Sequence, residues 1–359
     1  MSDGPVYLHI GLKKTGTSYL QSLLRANPDA LGAQGLTMVP HNQIASRQLV
    51  RALKDQLQEG VDAPRAKRAL ERFPRELASA PGDRVLVSDE VFGGSTEEQV
   101  ARLGEALGGR EAHLLLTVRD IARTIPSAWQ QTVKGGSQVP YEAFVDAVVS
   151  REGEVAAGFW RAYDVPAMLA RWKGLVDPSR MHVVLLPPPG AAPTVLLDRF
   201  CGVLGIDPAS LTAESVRANE SLGRAQAELL LRINGLLAPP TFRRDLHGPV
   251  LKRGFAIGVL APQKGDRIPM LAQHRAWCEE HARGVIEALE SGGYDVVGDL
   301  AELHPHDSAF ADELTPVDER EVTDAALRAL ATILDGQVAD LRRERDANRA
   351  ARAQQRDRS

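Results

Sequence analysis

Residues 11–18, Gly11-Leu12-Lys13-Lys14-Thr15-Gly16-Thr17-Ser18, gather two glycines, two lysines and three hydroxyls. Glycines let a backbone bend so that successive N–H groups face one point, and lysine adds positive charge there. That chemistry suits an anion, most often a phosphate. The string invites comparison with the loop that grips nucleoside triphosphates, G-x-x-x-x-G-K-[ST]. Both glycines and the final hydroxyl fit, but Thr17 stands where the lysine of the β- and γ-phosphates belongs. The cation has moved inside the loop, to Lys14. The shift argues against a nucleoside triphosphate and for another phosphorylated nucleotide. Lys13 beside it reads as an exposed loop cation.

Two further sets of reactive residues follow. Asp89 and Glu90 close the run LVSDE, and Arg119 opens RDIARTIPSAW at 119–129. Either carboxylate can serve as a general base. His9, just ahead of the loop, is a second candidate base, although a histidine at a strand end is more often structural; His41 and His247 are weaker. The nine histidines and two cysteines show none of the spacings of a metal site, so no metal is expected. Cys201 and Cys278 read as inert, reduced thiols.

The elements that must position these groups alternate. Short apolar runs at VYLHI (6–10), RVLVS (84–88), HLLLTV (113–118) and MHVVLL (181–186) read as buried strands. Helical patterns separate them: Leu20, Leu23 and Leu24 share a face after the loop, and a charged helical stretch covers about 46–79. Further patterns run through Val100–Leu107, 120–133, 141–149, 160–175 and 195–204. Such alternation predicts an α/β chain with a central parallel sheet covered by helices on both faces. Ligands of open parallel sheets bind beyond the carboxyl ends of the strands. Lys14, Glu90 and Arg119 each follow a different strand end and are therefore expected to converge on one cleft. From about 207 onward the pattern is helical with loops. Leu327, Leu334 and Leu341 recur every seven residues near the end, which fits either a helix docked on its own domain or a homodimer seam. A net charge of −4 gives no reason to expect a nucleic-acid partner, and no apolar run is long enough to span a bilayer. With the first strand starting near Val6, no signal peptide is expected, and the reading is a cytoplasmic protein.

The two charged motifs together resemble the sulfotransferases that use 3′-phosphoadenosine 5′-phosphosulfate (PAPS). Lys14-Thr15-Gly16-Thr17-Ser18 after a strand is similar to that family's 5′-phosphosulfate loop. Arg119, with Ser127 eight positions on inside R-D-x-x-x-R-x-x-S-x-W, is similar to its 3′-phosphate signature. LLDRFCGVLGID, NESLGRAQAELLLRIN and YDVVGDLAEL extend the resemblance to an actinobacterial-type branch, over roughly 6–303. Lys13 departs from the family's usual proline, and Pro126 suggests a kink or a late helix start before Ser127.

The resemblance implies a P-loop-like three-layer fold with a C-terminal helical extension: a catalytic domain over 1–310, then a helix and polar tail over 311–359. It implies PAPS as sulfuryl donor and a small-molecule or carbohydrate acceptor. Lys14 would stabilise the leaving phosphate, aided by Thr15, Gly16, Thr17 and Ser18; Arg119 and Ser127 would hold the 3′-phosphate; Glu90 would be the base, with Asp89 capping the next helix. Lys252-Arg253-Gly254 or Lys264-Gly265, within the Gly- and Pro-rich stretch 247–270, would close over the nucleotide unless that stretch is an ordinary polar loop. A divergent nucleotide kinase, needing ATP and magnesium, is the competing enzyme; a nucleotide-binding interaction protein without catalysis is the competing non-enzyme.

Overall fold

The computed structural model describes residues 4–212, 221–314 and 316–356; Asn219 and Glu220 of the NESLG stretch lie outside the described residues. In chain order the elements that matter here are β1 (Val6–Gly11), α1 (Thr17–Ala26), β2 (Leu36–Met38), α2 (Gln43–Leu53), β3 (Arg84–Ser88), α3 (Glu97–Ala106), β4 (Ala112–Val118) and α4 (Ile121–Val133). Then come α5 (Gly153–Tyr163), α6 (Val165–Trp172), β5 (Met181–Leu185), α7 (Val195–Leu204), α8 (Arg224–Leu236), β6 (Met270–Leu271), α9 (Arg275–Ser291), β7 (Asp295–Val297), β8 (Phe310–Ala311) and α10 (Glu319–Arg356).

Six strands form one parallel sheet in the order β2-β3-β1-β4-β5-β7, and β6 pairs with β8 in a separate two-stranded sheet. The chain is thus an α/β protein whose central parallel sheet is flanked by helices, with a long C-terminal helix. Burial on both faces explains why the strands are continuous apolar runs rather than alternating ones. Tyr7, Leu86 and Leu115 face one layer, where Leu20, Leu23 and Leu24 of α1 meet Phe200 and Leu204 of α7. Val6, Leu8 and Ile10 point to the other face and are just as buried. A strand with both faces covered has little freedom at its end, which makes the β1 terminus a rigid mount for the loop.

The described residues group into two compact units. The first draws on residues 1–129, 141–219 and 269–314 and contains both sheets; the second draws on 130–140, 220–268 and 315–359. Within the second unit, Val322, Ala325 and Ala329 of α10 are buried, Arg232 of α8 grips Glu319 through both oxygens at 2.8 and 2.9 Å, and Gln263 donates to Ala325 O. The heptad leucines Leu327, Leu334 and Leu341 lie outside that contact and are exposed.

Several expectations need correction. The charged stretch at 46–79 is not one helix: α2 ends at Leu53, and helix resumes at Pro64–Lys67 and Ala69–Ala78. The region after 207 is not purely helical, because β7 completes the sheet beside β5. The 247–270 stretch is a loop only over 264–269; Gly248–Leu260 is helical with the wider π spacing, carrying Lys252 and Arg253, and Lys264 opens the loop in left-handed backbone at φ 58°. It belongs to the second unit. Pro126 delays nothing, since α4 starts at Ile121 and runs through it. Among the described residues no helix is long and apolar enough to cross a membrane.

Candidate active site

The loop after β1 is fastened from beneath by buried hydroxyls. Thr15 Oγ1 donates to Leu12 O at 2.5 Å and meets Thr117 Oγ1 at 2.5 Å. Thr117 Oγ1 in turn donates to Gly11 O at 2.9 Å, and Leu12 N donates to Thr117 O at 2.8 Å. The loop is thereby stitched to the end of β4. Gly16 closes it at φ 81°, backbone that favours glycine, and a Cβ there would also push on Leu196 Cδ2. No side chain caps α1. Its first-turn N–H groups, left to solvent or to a ligand, give the anion cradle expected of a glycine loop before a helix. Lys14 holds φ 66° without being glycine, and Lys13 and Lys14 are half-buried.

On the β4 side, Arg119 Nη2 donates to Ser127 Oγ at 3.1 Å and to Arg123 O at 2.6 Å. The eight-residue spacing therefore brings guanidinium and hydroxyl together across the first turns of α4. Asp120, 2% exposed, starts that helix by accepting from Arg123 N at 2.9 Å and pairing with the Arg123 guanidinium. Leu12, Arg119, Thr124, Tyr163 and His281 line a small pocket at this point.

On the β3 side, Glu90 stands directly beside the loop: a Cβ on Gly11 would lie 3.4 Å from Glu90 O. Gln21 of α1 donates to Glu90 Oε2 at 3.1 Å, orienting the carboxylate. Asp89 turns the other way. It is 5% exposed and accepts from Val91 N at 3.0 Å. Burial, and then the charge of Glu90, raise its pKa to about 6. Asp89 does not cap the next helix, as the sequence suggested; a short 3₁₀ turn at Phe92–Gly94 intervenes, and Thr96 caps α3 in a reciprocal box with Gln99.

His9 is wholly buried, with Nδ1 2.8 Å from Ser88 Oγ and the Phe200 ring edge-on at 4.9 Å. Burial lowers its pKa to about 4, against the pull of Glu90. Tyr163 lies where the charges of both Arg119 and Glu90 act on it, and its burial raises its pKa. His41 is exposed on Asn42, and His247 belongs to the second unit. Cys201 and Cys278 are buried, and burial pushes both thiols up to about 12. Among the described residues no group of three or more His, Cys, Asp and Glu side chains is placed to hold a metal.

Sequence reasoning missed Gln21, Thr117 and Tyr163. Each reaches the site through strand order or helix packing rather than through a neighbouring motif.

No family model and no curated protein sequence matches the chain. Among solved structures, a sulfotransferase from Alicyclobacillus acidocaldarius is 16% identical, covering 67% of this chain and 99% of that one, with a TM-score of 0.40. A sulfotransferase domain from the curacin biosynthetic pathway is 13% identical, covering 57% of this chain and 74% of that one, with a TM-score of 0.32.

Proposed function

We propose that the chain is a sulfotransferase that moves the sulfuryl group of PAPS to a hydroxyl or amine of an acceptor. The observation that carries this reading is the Arg119–Ser127 pair, 3.1 Å apart at the end of β4, beside a loop with Lys14 at the end of β1. Two phosphate-holding sets side by side suit a nucleotide bearing both a 5′- and a 3′-phosphate. The uncapped start of α1 and the glycine positions support the same donor, and Thr17 in place of the loop lysine speaks against a kinase.

The transfer balances simply. The bond between sulfur and the bridging oxygen of the 5′-phosphate breaks as the acceptor's oxygen or nitrogen bonds to sulfur. Negative charge grows on the departing phosphate, and a cation that strengthens its hold there lowers the barrier. Lys14 takes that role, with the hydroxyls and N–H groups of Thr15 to Ser18. The acceptor's proton passes to Glu90, which is partly exposed beside the loop and oriented by Gln21. Burial of His9 on Ser88 favours Glu90 over it.

The test is thermal denaturation with nucleotides. Adenosine 3′,5′-bisphosphate is expected to raise the melting temperature far more than AMP, ADP or ATP–magnesium. At a hundredfold excess over its dissociation constant the gain is ~2.7 kcal/mol. Equal shifts with ATP–magnesium would overturn the reading in favour of a kinase.

A further inference from the structure

The turn that follows Glu90 carries a cluster of cations with no carboxylate in direct ion pair. Lys54, just past α2, donates from Nζ to Val91 O at 3.2 Å. Arg171 of α6 donates from Nη2 to Gly93 O at 3.2 Å and to Arg161 O at 3.3 Å. Lys13 in the loop and Arg161 on α5 stand close enough for their charges to act on Lys54, which burial and these three cations bring down to about 8. Of the carboxylates nearby, Asp164 and the exposed Glu97 act on Arg171 without an ion pair to it, and Asp164 and the others are engaged elsewhere. Asp55 is held by Arg102 at 2.7 Å, Asp62 by Arg51 at 3.1 Å, and Asp164 by Arg151 at 3.7 Å while it caps α6. Asp89, the acid that acts on Lys54, is buried and turned onto Val91 N. Among the described residues none of the four cations sits within 4.0 Å of a carboxylate.

Fixing the turn accounts for Lys54 and Arg171 only. Lys13 and Arg161 make no side-chain hydrogen bond or ion pair among the described residues, and repulsion among four like charges weakens the fold unless something offsets it. Their position is informative. Arg119 and Ser127 leave β4 on one side of β1, whereas this cluster hangs on the turn leaving β3 on the other, next to the group that would take the acceptor's proton.

We infer that Lys13, Lys54, Arg161 and Arg171 form an anion subsite for the acceptor, so that the acceptor carries a carboxylate, sulfate ester or phosphate ester besides its nucleophilic group. The word acceptor rests on the sulfotransferase reading; the anion subsite stands on its own residues.

The experiment is calorimetric titration of the protein saturated with adenosine 3′,5′-bisphosphate, using glucuronate, glucose 6-sulfate and glucose 6-phosphate, with glucose as the neutral control. The charged sugars are expected to bind saturably and glucose not, and the tightest of the three tells carboxylate from sulfate or phosphate. The Lys13→Gln/Arg161→Gln double variant, which removes no hydrogen bond of the turn, is expected to weaken the charged sugars about tenfold or more. Its affinity for the bisphosphate is expected to stay within about twofold. Binding of glucose equal to the charged sugars, or a double variant that binds them as well as the wild type, would overturn the inference. So would an equal loss of bisphosphate affinity, which would assign the cluster to the donor. Should the bisphosphate not bind at all, the sulfotransferase reading fails, and the same titration on the unliganded protein and its double variant still decides the anion subsite.

Discussion

His9 offers a perturbation whose size follows from its surroundings. Burial lowers its pKa from an ordinary 6.5 to about 4. As pH falls, the unfolded chain therefore takes up this proton first, and the folded chain only near 4. Between those values the unfolded state binds more protons, so the contribution to stability is complete above 6.5 and is lost as pH drops toward 4. At pH 5.0 the group lies 1.5 units below its unfolded pKa and still above its folded one. At about 1.4 kcal/mol per unit, the loss between pH 7.5 and 5.0 is ~2 kcal/mol. His281, also lowered to about 4 by burial, tilts the profile the same way, and Asp89, raised to about 6, tilts it oppositely. The whole protein's profile is thus a composite, and the useful quantity is a difference. His9→Gln keeps an amide for Ser88 and cannot titrate. Urea denaturation of both proteins at pH 7.5, 6.25 and 5.0 is expected to show the variant's deficit shrinking by ~2 kcal/mol toward the acid end. A deficit that stays constant across this range would refute the claim that His9 is held neutral. The variant is also expected to keep most of its sulfuryl transfer at pH 7.5, as a residue that shapes the β1 terminus without taking the acceptor's proton should.

Glu90→Gln is expected to lower turnover by ~10²–10⁴-fold with little change in donor affinity, read by radiolabelled transfer and by calorimetry with the bisphosphate. Asp89→Asn keeps the acceptor for Val91 N and removes a buried charge, so stability at pH 7.5 is expected to rise by about 1–3 kcal/mol, a gain that disappears by pH 4 in urea titrations. Lys14→Ala and Lys14→Gly are both expected to lose turnover at saturating donor. The glycine variant should nonetheless be the more stable by ~1 kcal/mol, because φ 66° suits glycine; equal stabilities would deny the backbone cost. Thr117→Val breaks the stitch between the loop and β4 and is expected to cost ~1–3 kcal/mol by thermal denaturation, with a weaker hold on the bisphosphate.

The strands legible in the sequence were those buried on both faces. RVLVS at 84–88 has four buried residues after a partly exposed Arg84, and its limits are those of β3. Leu36–Met38 and Asp295–Val297, by contrast, are three-residue strands at the two edges of the sheet. Three residues hold no readable period, and only pairing with β3 and β5 makes them strands. Gly248–Leu260 misled for another reason: glycine and proline signal turns, yet here they sit in a helical run of wide spacing packed against its own unit. The places of Lys14, Glu90 and Arg119, just past three strand ends, were legible because the topology of parallel sheets puts those ends side by side. The partners that orient them were not. Thr15 and Thr117 are 102 positions apart, Gln21 and Glu90 are 69 apart, and both contacts exist because β1 lies between β3 and β4. Asp89 shows the limit of local rules: a carboxylate ahead of a helix reads as a cap, but three residues of 3₁₀ turn put α3 out of its reach.

The two ends of the sheet are built on different terms, and this contrast, read without any motif, agrees with the ligand end proposed above. At the amino ends of β4, β5 and β7 the polar groups are mostly paired with one another, Arg180 Nε excepted. His113 Nδ1 meets His182 Nε2 at 2.9 Å, His182 Nδ1 meets Asp295 at 2.6 Å, and Glu111 joins His113 at 3.1 Å and Arg180 at 2.7 Å. At the carboxyl ends of β1 and β3 the chain accepts costs instead. Lys14 occupies backbone better suited to glycine, and Asp89 is buried beside Glu90. His9 Nε2 has no hydrogen-bond partner among the described residues, and four cations gather with no carboxylate within ion-pair distance. Each of these destabilises the fold by an amount that the doubly buried strands can absorb. A structural role accounts for the first arrangement. Of the second set only the gathered cations would be relieved by anions, which is the condition that the proposed phosphorylated donor and anionic acceptor would create.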